Sequence, residues 1–132
     1  MNPSSAAKIR ALGARLRLGP HSTVLDLGCG TGGPAVLLAK EYGCRVTGVD
    51  HHEPFLAHAR ERAEEAGVVD LVDLVASDGA EFVGTAPSFD AALCIGAAWI
   101  LGGFASTATT LREHVPLGGH VVIGDSTAGT KQ

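Results

Sequence analysis

Four glycines fall within the six positions Gly28 to Gly33, directly after the apolar run Val24–Leu27 and just before Pro34, in the stretch Val-Leu-Asp-Leu-Gly-Cys-Gly-Thr-Gly-Gly-Pro. Nothing else in the chain restricts the fold as much. A short buried strand has to turn at once into a helix, through backbone conformations that side chains would obstruct. Such a turn leaves backbone N–H groups and the unpartnered first amides of the helix converging on one spot. That spot favours a polar or anionic group by about 0.3–1 kcal/mol when exposed. The glycines fit two templates, Gly28-x-Gly30-x-Gly32 and Gly28-x-Gly30-x-x-Gly33, the latter being the spacing of a dinucleotide-binding fingerprint. Spacing alone chooses neither template, and does not separate a ligand cradle from a plain tight connection.

The rest of the chain alternates strands and helices. Ser5 to Leu18 places Ile9, Leu12 and Leu16 at helical spacing before Gly19-Pro20, and makes a leading helix within residues 1–20. Strands follow at Thr23 to Leu27, Arg45 to Val49, Leu71 to Ala76, Phe89 to Ile95 and His120 to Gly124. Helices are expected at Pro34 to Tyr42 and at Pro54 to Ala66, the second with Phe55, Leu56, Ala59, Ala63 and Ala66 inward. A short one is expected within Asp78 to Ala86, and a last one carries Leu101, Ala105, Ala108, Leu111 and Val115 on one face. The strands are apolar runs rather than alternating ones, so the fold class is α/β: a doubly wound, mostly parallel sheet of about five strands with helices on both faces. Residues 1–132 form a single domain with a C-terminal tail at 126–132.

Composition narrows the function. A net charge of −4 argues against a nucleic-acid backbone as partner, and no run of about eighteen uninterrupted apolar residues suggests a membrane span. Lys8, Arg10, Arg15 and Arg17 break up the N-terminal segment, so no export signal is read and the expected compartment is cytoplasmic. Cys29, Cys44 and Cys94 are odd in number and widely spaced, as reduced, buried thiols are.

In such a sheet a ligand binds beyond the carboxyl ends of the strands, where the strand order reverses beside the first strand. Asp50 ends the second strand about twenty residues past the glycines, where a carboxylate accepts hydrogen bonds from both ribose hydroxyls. Asp78 lies just beyond the third strand, either to reach an adenine amine or to cap a helix. Asp26 bears on the choice of template. A carboxylate two residues before Gly28 would repel a pyrophosphate lying on the turn, whereas a ligand with an ammonium or sulfonium would tolerate or favour it. Asp26 as a cap for amides of the turn fits either ligand.

Val24-Leu-Asp-Leu-Gly-Cys-Gly-Thr-Gly32 resembles the first motif of the class I S-adenosylmethionine-dependent methyltransferases, whose core is Rossmann-like. Val46-Thr-Gly-Val-Asp50 resembles the family's second motif, Ser77-Asp-Gly-Ala80 its adenine-contacting loop, Phe89 to Cys94 its fourth strand and Leu117 to Ile123 the approach to its fifth, with Leu117 where proline is common. The resemblance extends from about Lys8 to Asp125. It implies S-adenosylmethionine as cofactor. Asp26, Gly28, Gly30 and Gly32 would line the methionine part, and Asp50 the ribose. His51 would flank the adenine, Ser77, Asp78 and Gly79 would meet its edge, and Cys94 and Gly96 would offer backbone groups to the amino-acid end. The reaction expected is methyl transfer to a small-molecule acceptor, with His51 and His52 as candidate general bases and Trp99 as a candidate wall of the acceptor pocket. No metal is expected, because His51, His52 and His58 make no convincing ligand set.

One departure stands out. The family's sheet has seven strands, and this chain looks truncated after its fifth, which would leave Val121, Val122 and Ile123 on an apolar edge. The expectation is that another copy, in a homodimer, or a different partner covers that edge. Two other functions remain beside the methyltransferase: a cofactor-binding core without its own transferase activity, and, opposed by Asp26 and the motif, a nicotinamide-dependent oxidoreductase.

Overall fold

A computed structural model of the chain describes residues 3–85, 88–95, 102–115, 119–125 and 129–131. The elements run α1 (Pro3–Arg15), β1 (Thr23–Leu27), α2 (Gly33–Tyr42), β2 (Arg45–Asp50), α3 (Glu53–Ala66), β3 (Val72–Ala76), α4 (Gly79–Thr85), β4 (Ala91–Ile95), α5 (Phe104–Arg112), β5 (His120–Asp125) and β6 (Gly129–Lys131). The sheet order is β3-β2-β1-β4-β5-β6, with every pairing parallel except the last. The chain therefore winds outward from β1 in both directions, and the reversal falls between β1 and β4, as the expected fold class requires.

Residues alternate across the sheet, so consecutive positions of β1 feed two cores. Val24 joins Val46, Leu93 and Val122 beneath α1 and α2, where Ile9, Leu12, Leu38 and Ala39 are buried. Leu25 and Leu27 join Val49, Ala92 and Cys94 on the opposite face, under Val83 of α4 and Leu111 of α5. Each fully buried Leu or Val stabilises the fold by about 1.5–3 kcal/mol, which is why both faces are apolar.

Several expectations are corrected. Helix α1 stops at Arg15 rather than Leu18, because Arg17 turns left-handed at φ 55° and the Leu18 N–H donates back to the Gly13 carbonyl. Phe55 is not inward on α3 but 42% exposed; Leu56, Ala59 and Ala63 alone make the buried stripe. On α5, Ala105 is exposed and Thr107 takes the inward place. Its hydroxyl donates to the Gly103 carbonyl at 2.7 Å, which lets a polar side chain sit in an apolar layer. Leu101 lies outside the described residues. The β5 edge is not wholly bare: β6 pairs antiparallel with it from Ile123↔Lys131 to Asp125↔Gly129. No described helix is long and apolar enough to cross a membrane.

Candidate functional site

The turn after β1 doubles back over β2. The Gly28 and Cys29 amides both donate to the Val49 carbonyl, at 2.7 and 3.0 Å, and the Gly32 amide closes on the Cys29 carbonyl at 3.0 Å. Gly28, Gly30 and Gly32 have φ of 74°, 58° and 80°, whereas Gly33 is simply the first residue of α2. The three glycines with positive φ are thus those of the Gly28-x-Gly30-x-Gly32 spacing. The two later glycines do different jobs. A Cβ on Gly32 would lie 2.7 Å from the Ala59 Cβ, so this glycine lets α2 dock on α3. A Cβ on Gly30 would meet nothing within 4 Å, so the space over Gly30 is open.

Two carboxylates stand near the ends of β1 and β2, and one of them braces this turn. Asp50, with 12% of its side chain exposed, accepts the Gly30 amide on Oδ2 and the His52 amide on Oδ1, both at 2.9 Å, and thereby ties the end of β2 to the turn. Asp26 lies in mid-sheet, opposite Gly48 on β2 and Leu93 on β4. It is 3% exposed, and its Oδ2 has no hydrogen-bond partner among the described residues. Burial, with the Asp50 charge adding to it, pushes the Asp26 carboxyl up from 3.8 to about 7. An orphaned oxygen in such a place costs about 1–3 kcal/mol, which a ligand donor would offset.

Above Asp26 the sheet parts. The β1–β4 ladder ends at Asp26↔Leu93, while β4 continues with β5 to Ile95↔Gly124. Cys94 therefore runs past its last β1 pairing, at the crevice where the strand order reverses. Its thiol is buried and, like that of Cys29, pushed up to about 12, first by burial and then by the Asp26 charge, with Asp50 adding at Cys29. Burial thus favours the thiol form of both.

The remaining predicted residues spread along the same rim. The Ser77 amide donates to the Asp50 carbonyl at 3.1 Å, and its hydroxyl donates to the Asp78 carbonyl at 3.0 Å. Asp78 caps α4, Oδ1 accepting the Ala80 and Glu81 amides at 2.9 and 3.1 Å, and Gly79 opens that helix. His51 is exposed, with Nδ1 3.8 Å from Asp50 Oδ1. His52 is also exposed, and its ring stands edge-on to Phe55 at a centroid distance of 4.3 Å. Gly96 and Trp99 lie outside the described residues. Among the described residues no three His, Cys, Asp or Glu side chains gather as metal ligands.

Gly48 escaped the sequence reading. A Cβ there would lie 3.0 Å from Cys29 Sγ and 3.2 Å from Leu74 Cδ2, so its bareness lets the turn lie down on β2. The signal was available, since a glycine inside an apolar strand marks a close approach.

A family model described as "Methyltransferase domain" matches residues 24–119. The uncharacterized protein YjhP of Escherichia coli K12 is 39% identical over 124 residues, 94% of this chain and 50% of that protein. A sarcosine/dimethylglycine N-methyltransferase of Halorhodospira halochloris is 42% identical over 59 residues, 45% of this chain and 21% of that one. A crystal structure of a SAM-dependent methyltransferase from Thiobacillus denitrificans, in complex with S-adenosyl-L-homocysteine, superposes with a TM-score of 0.84 at 37% identity and covers 93% of this chain and 48% of that one. The chain thus spans about half the length of YjhP and of the Thiobacillus protein.

Proposed function

We propose a function from one premise: the chain belongs to the class I S-adenosylmethionine-dependent methyltransferases, its residues 24–119 matching the methyltransferase domain. It binds S-adenosylmethionine across the carboxyl ends of β1, β2 and β4 and transfers the methyl group to a small-molecule acceptor. The observation that carries this is the buried Asp26 Oδ2, without a described partner near the end of β1, together with the open space over Gly30 in the turn that follows. The match of that pair to the ligand is chemical: a cationic amino group satisfies the orphaned oxygen, and a backbone without a Cβ lets the amino-acid end approach.

When bound, the cofactor supplies an activated methyl group on a sulfonium, so the protein's share is alignment and exclusion of water. Asp26 and the Gly28–Gly32 backbone orient the amino-acid end. Asp50 holds the ribose; its two oxygens already serve the Gly30 and His52 amides, but a carboxylate offers about four lone-pair positions. His51 flanks the adenine, and Ser77, Asp78 and Gly79 bound its edge, with Asp78 Oδ1 already spent on α4. The backbone of Cys94 completes the amino-acid end. Where the acceptor has to lose a proton, His51 is the better base of the two histidines, because it stands beside Asp50 while the His52 ring is taken up by Phe55. The net charge of −4 and a relative named for methylating sarcosine and dimethylglycine both support a small acceptor.

Calorimetry with S-adenosylmethionine, S-adenosylhomocysteine and NAD tests the reading: the first two are expected to bind and NAD is not. Asp50→Ala is expected to weaken S-adenosylhomocysteine about 10- to 100-fold, the worth of hydrogen bonds to a charged group. Undiminished affinity in a folded Asp50→Ala protein would remove Asp50 from the site. A methylated product detected by mass spectrometry in a metabolite pool establishes the transferase; binding without any product would assign a cofactor-binding core instead.

A further inference from the structure

Among the described residues the one charge that bears on Asp26 is of its own sign. On β2 the group bearing on it is another carboxylate, Asp50; on the turn it is the Cys29 thiol, and on β4 the Cys94 thiol. On α1, α2 and α3, which cover the same face of the sheet, every charged side chain is exposed except Arg62 of α3, which is half-buried, and the charge that bears on Asp26 is that of Asp50. The Asp26 oxygen facing this enclosure has no hydrogen-bond partner among the described residues. A carboxylate so placed is poorly solvated and repelled by its neighbour, whereas a carboxylic acid is not.

We infer that the site couples cofactor binding to the release of one proton from Asp26, so that affinity for the cofactor falls as the solution becomes acidic. The inference rests on the reading that the turn holds S-adenosylmethionine. Without ligand the enclosure favours the neutral acid. When a ligand ammonium arrives, the Asp26 O–H bond breaks, the proton passes to the buffer, and the carboxylate left behind faces the ammonium, which keeps its own three protons. The ammonium thereby offsets the Asp26 charge without moving Asp50. With the Asp26 carboxyl at about 7 in the free protein, the exchange falls in the physiological range.

The experiment is calorimetric titration of the whole chain with S-adenosylhomocysteine at about pH 6 and about pH 8, each in two buffers of different ionisation enthalpy. The expected result is close to one proton released per ligand at the lower pH and close to none at the higher, with Kd about tenfold weaker at the lower. The same titration on Asp26→Asn is expected to lose both the proton release and the pH dependence. If that variant no longer binds, the carboxyl carbon shift of Asp26, assigned by its absence from the Asp26→Asn spectrum, serves instead. It is expected to titrate near neutrality in the free protein and to stay ionised down to about pH 6 with ligand bound. Binding that is tight and independent of pH, or proton release that persists in Asp26→Asn because His51 supplies it, would overturn the inference and leave the cofactor reading intact. No binding at any pH would overturn both.

Discussion

Strand β1 has a carboxylate at each end of its environment, and the two are treated in opposite ways. At the amino end Asp90, exposed, receives the Thr23 amide at 2.8 Å and the Thr23 hydroxyl at 3.3 Å, while its own amide donates back to the Thr23 carbonyl at 2.9 Å. At the carboxyl end Asp26 is buried with an unpartnered oxygen. The first arrangement is what a strand-to-strand clamp needs. The second lowers stability and makes sense only if something else completes it, since sequences break the rule of polar satisfaction mainly where function requires it. The sheet is thus closed at one end and deliberately unfinished at the other.

The contrast is broken most sharply through pH. Asp26 carries a folded-state value of about 7, above its unfolded 3.8, so the folded protein holds an extra proton between those values. Stability from this group is therefore complete below about pH 4, declines as pH rises toward 7 and is flat above, a span on the order of 4 kcal/mol. Urea unfolding of the ligand-free protein is expected to show that decline, and Asp26→Asn to remove it and to be more stable than wild type by roughly 2 kcal/mol near pH 8. A wild-type profile parallel to that of Asp26→Asn would mean that Asp26 is ordinary, and the two ends of β1 alike.

The two inner glycines of the turn sharpen the same contrast at smaller cost. Gly32→Ala adds a methyl 2.7 Å from the Ala59 Cβ and a left-handed alanine at φ 80°, and is expected to lose about 2–3 kcal/mol in urea unfolding. Gly30→Ala, at φ 58° with nothing within 4 Å, should lose only about 1 kcal/mol while weakening S-adenosylhomocysteine at least tenfold, because its methyl enters the proposed cradle. Equal effects of the two on binding would mean that the space over Gly30 is not where the ligand sits.

What could be read in advance follows from how local each cause is. The strands and the β1 turn depend on apolar runs and on Gly28, Gly30 and Gly32, whose backbone conformations act within a few residues, and these are legible. The choice between the two glycine templates turns on Asp26, whereas the positive φ of Gly28, Gly30 and Gly32 is a property that spacing does not carry. Phe55 fits the apolar stripe of α3 by period, yet it faces the His52 ring at the site rim, where an aromatic has a partner outside the core. Thr107 was passed over because its hydroxyl is neutralised by a carbonyl four residues back, which composition does not reveal. The pairing of β6 was missed because three residues, Gly129–Lys131, carry no strand period. Asp50 was read as a ligand residue and is also a brace, since its two amide partners come from separate loops that only the fold brings together.

The smallest effect belongs to the closed end. Asp90→Ala removes the acceptor of the Thr23 amide and hydroxyl but leaves the Asp90 amide bonded to the Thr23 carbonyl, so the β1–β4 junction loses part of its clamp. With the site exposed, water replaces much of what is lost, and the expected cost in urea unfolding is about 0.5–1 kcal/mol. Affinity for S-adenosylhomocysteine should not change, because the four residues Val24 to Leu27 of β1 separate the Thr23–Asp90 clamp from the turn. Asp90→Asn, which keeps an acceptor, should recover most of the stability. Should Asp90→Ala instead weaken the ligand as Asp50→Ala is expected to, β1 transmits strain from one end to the other, and the unfinished end is set by the closed one rather than by its own chemistry.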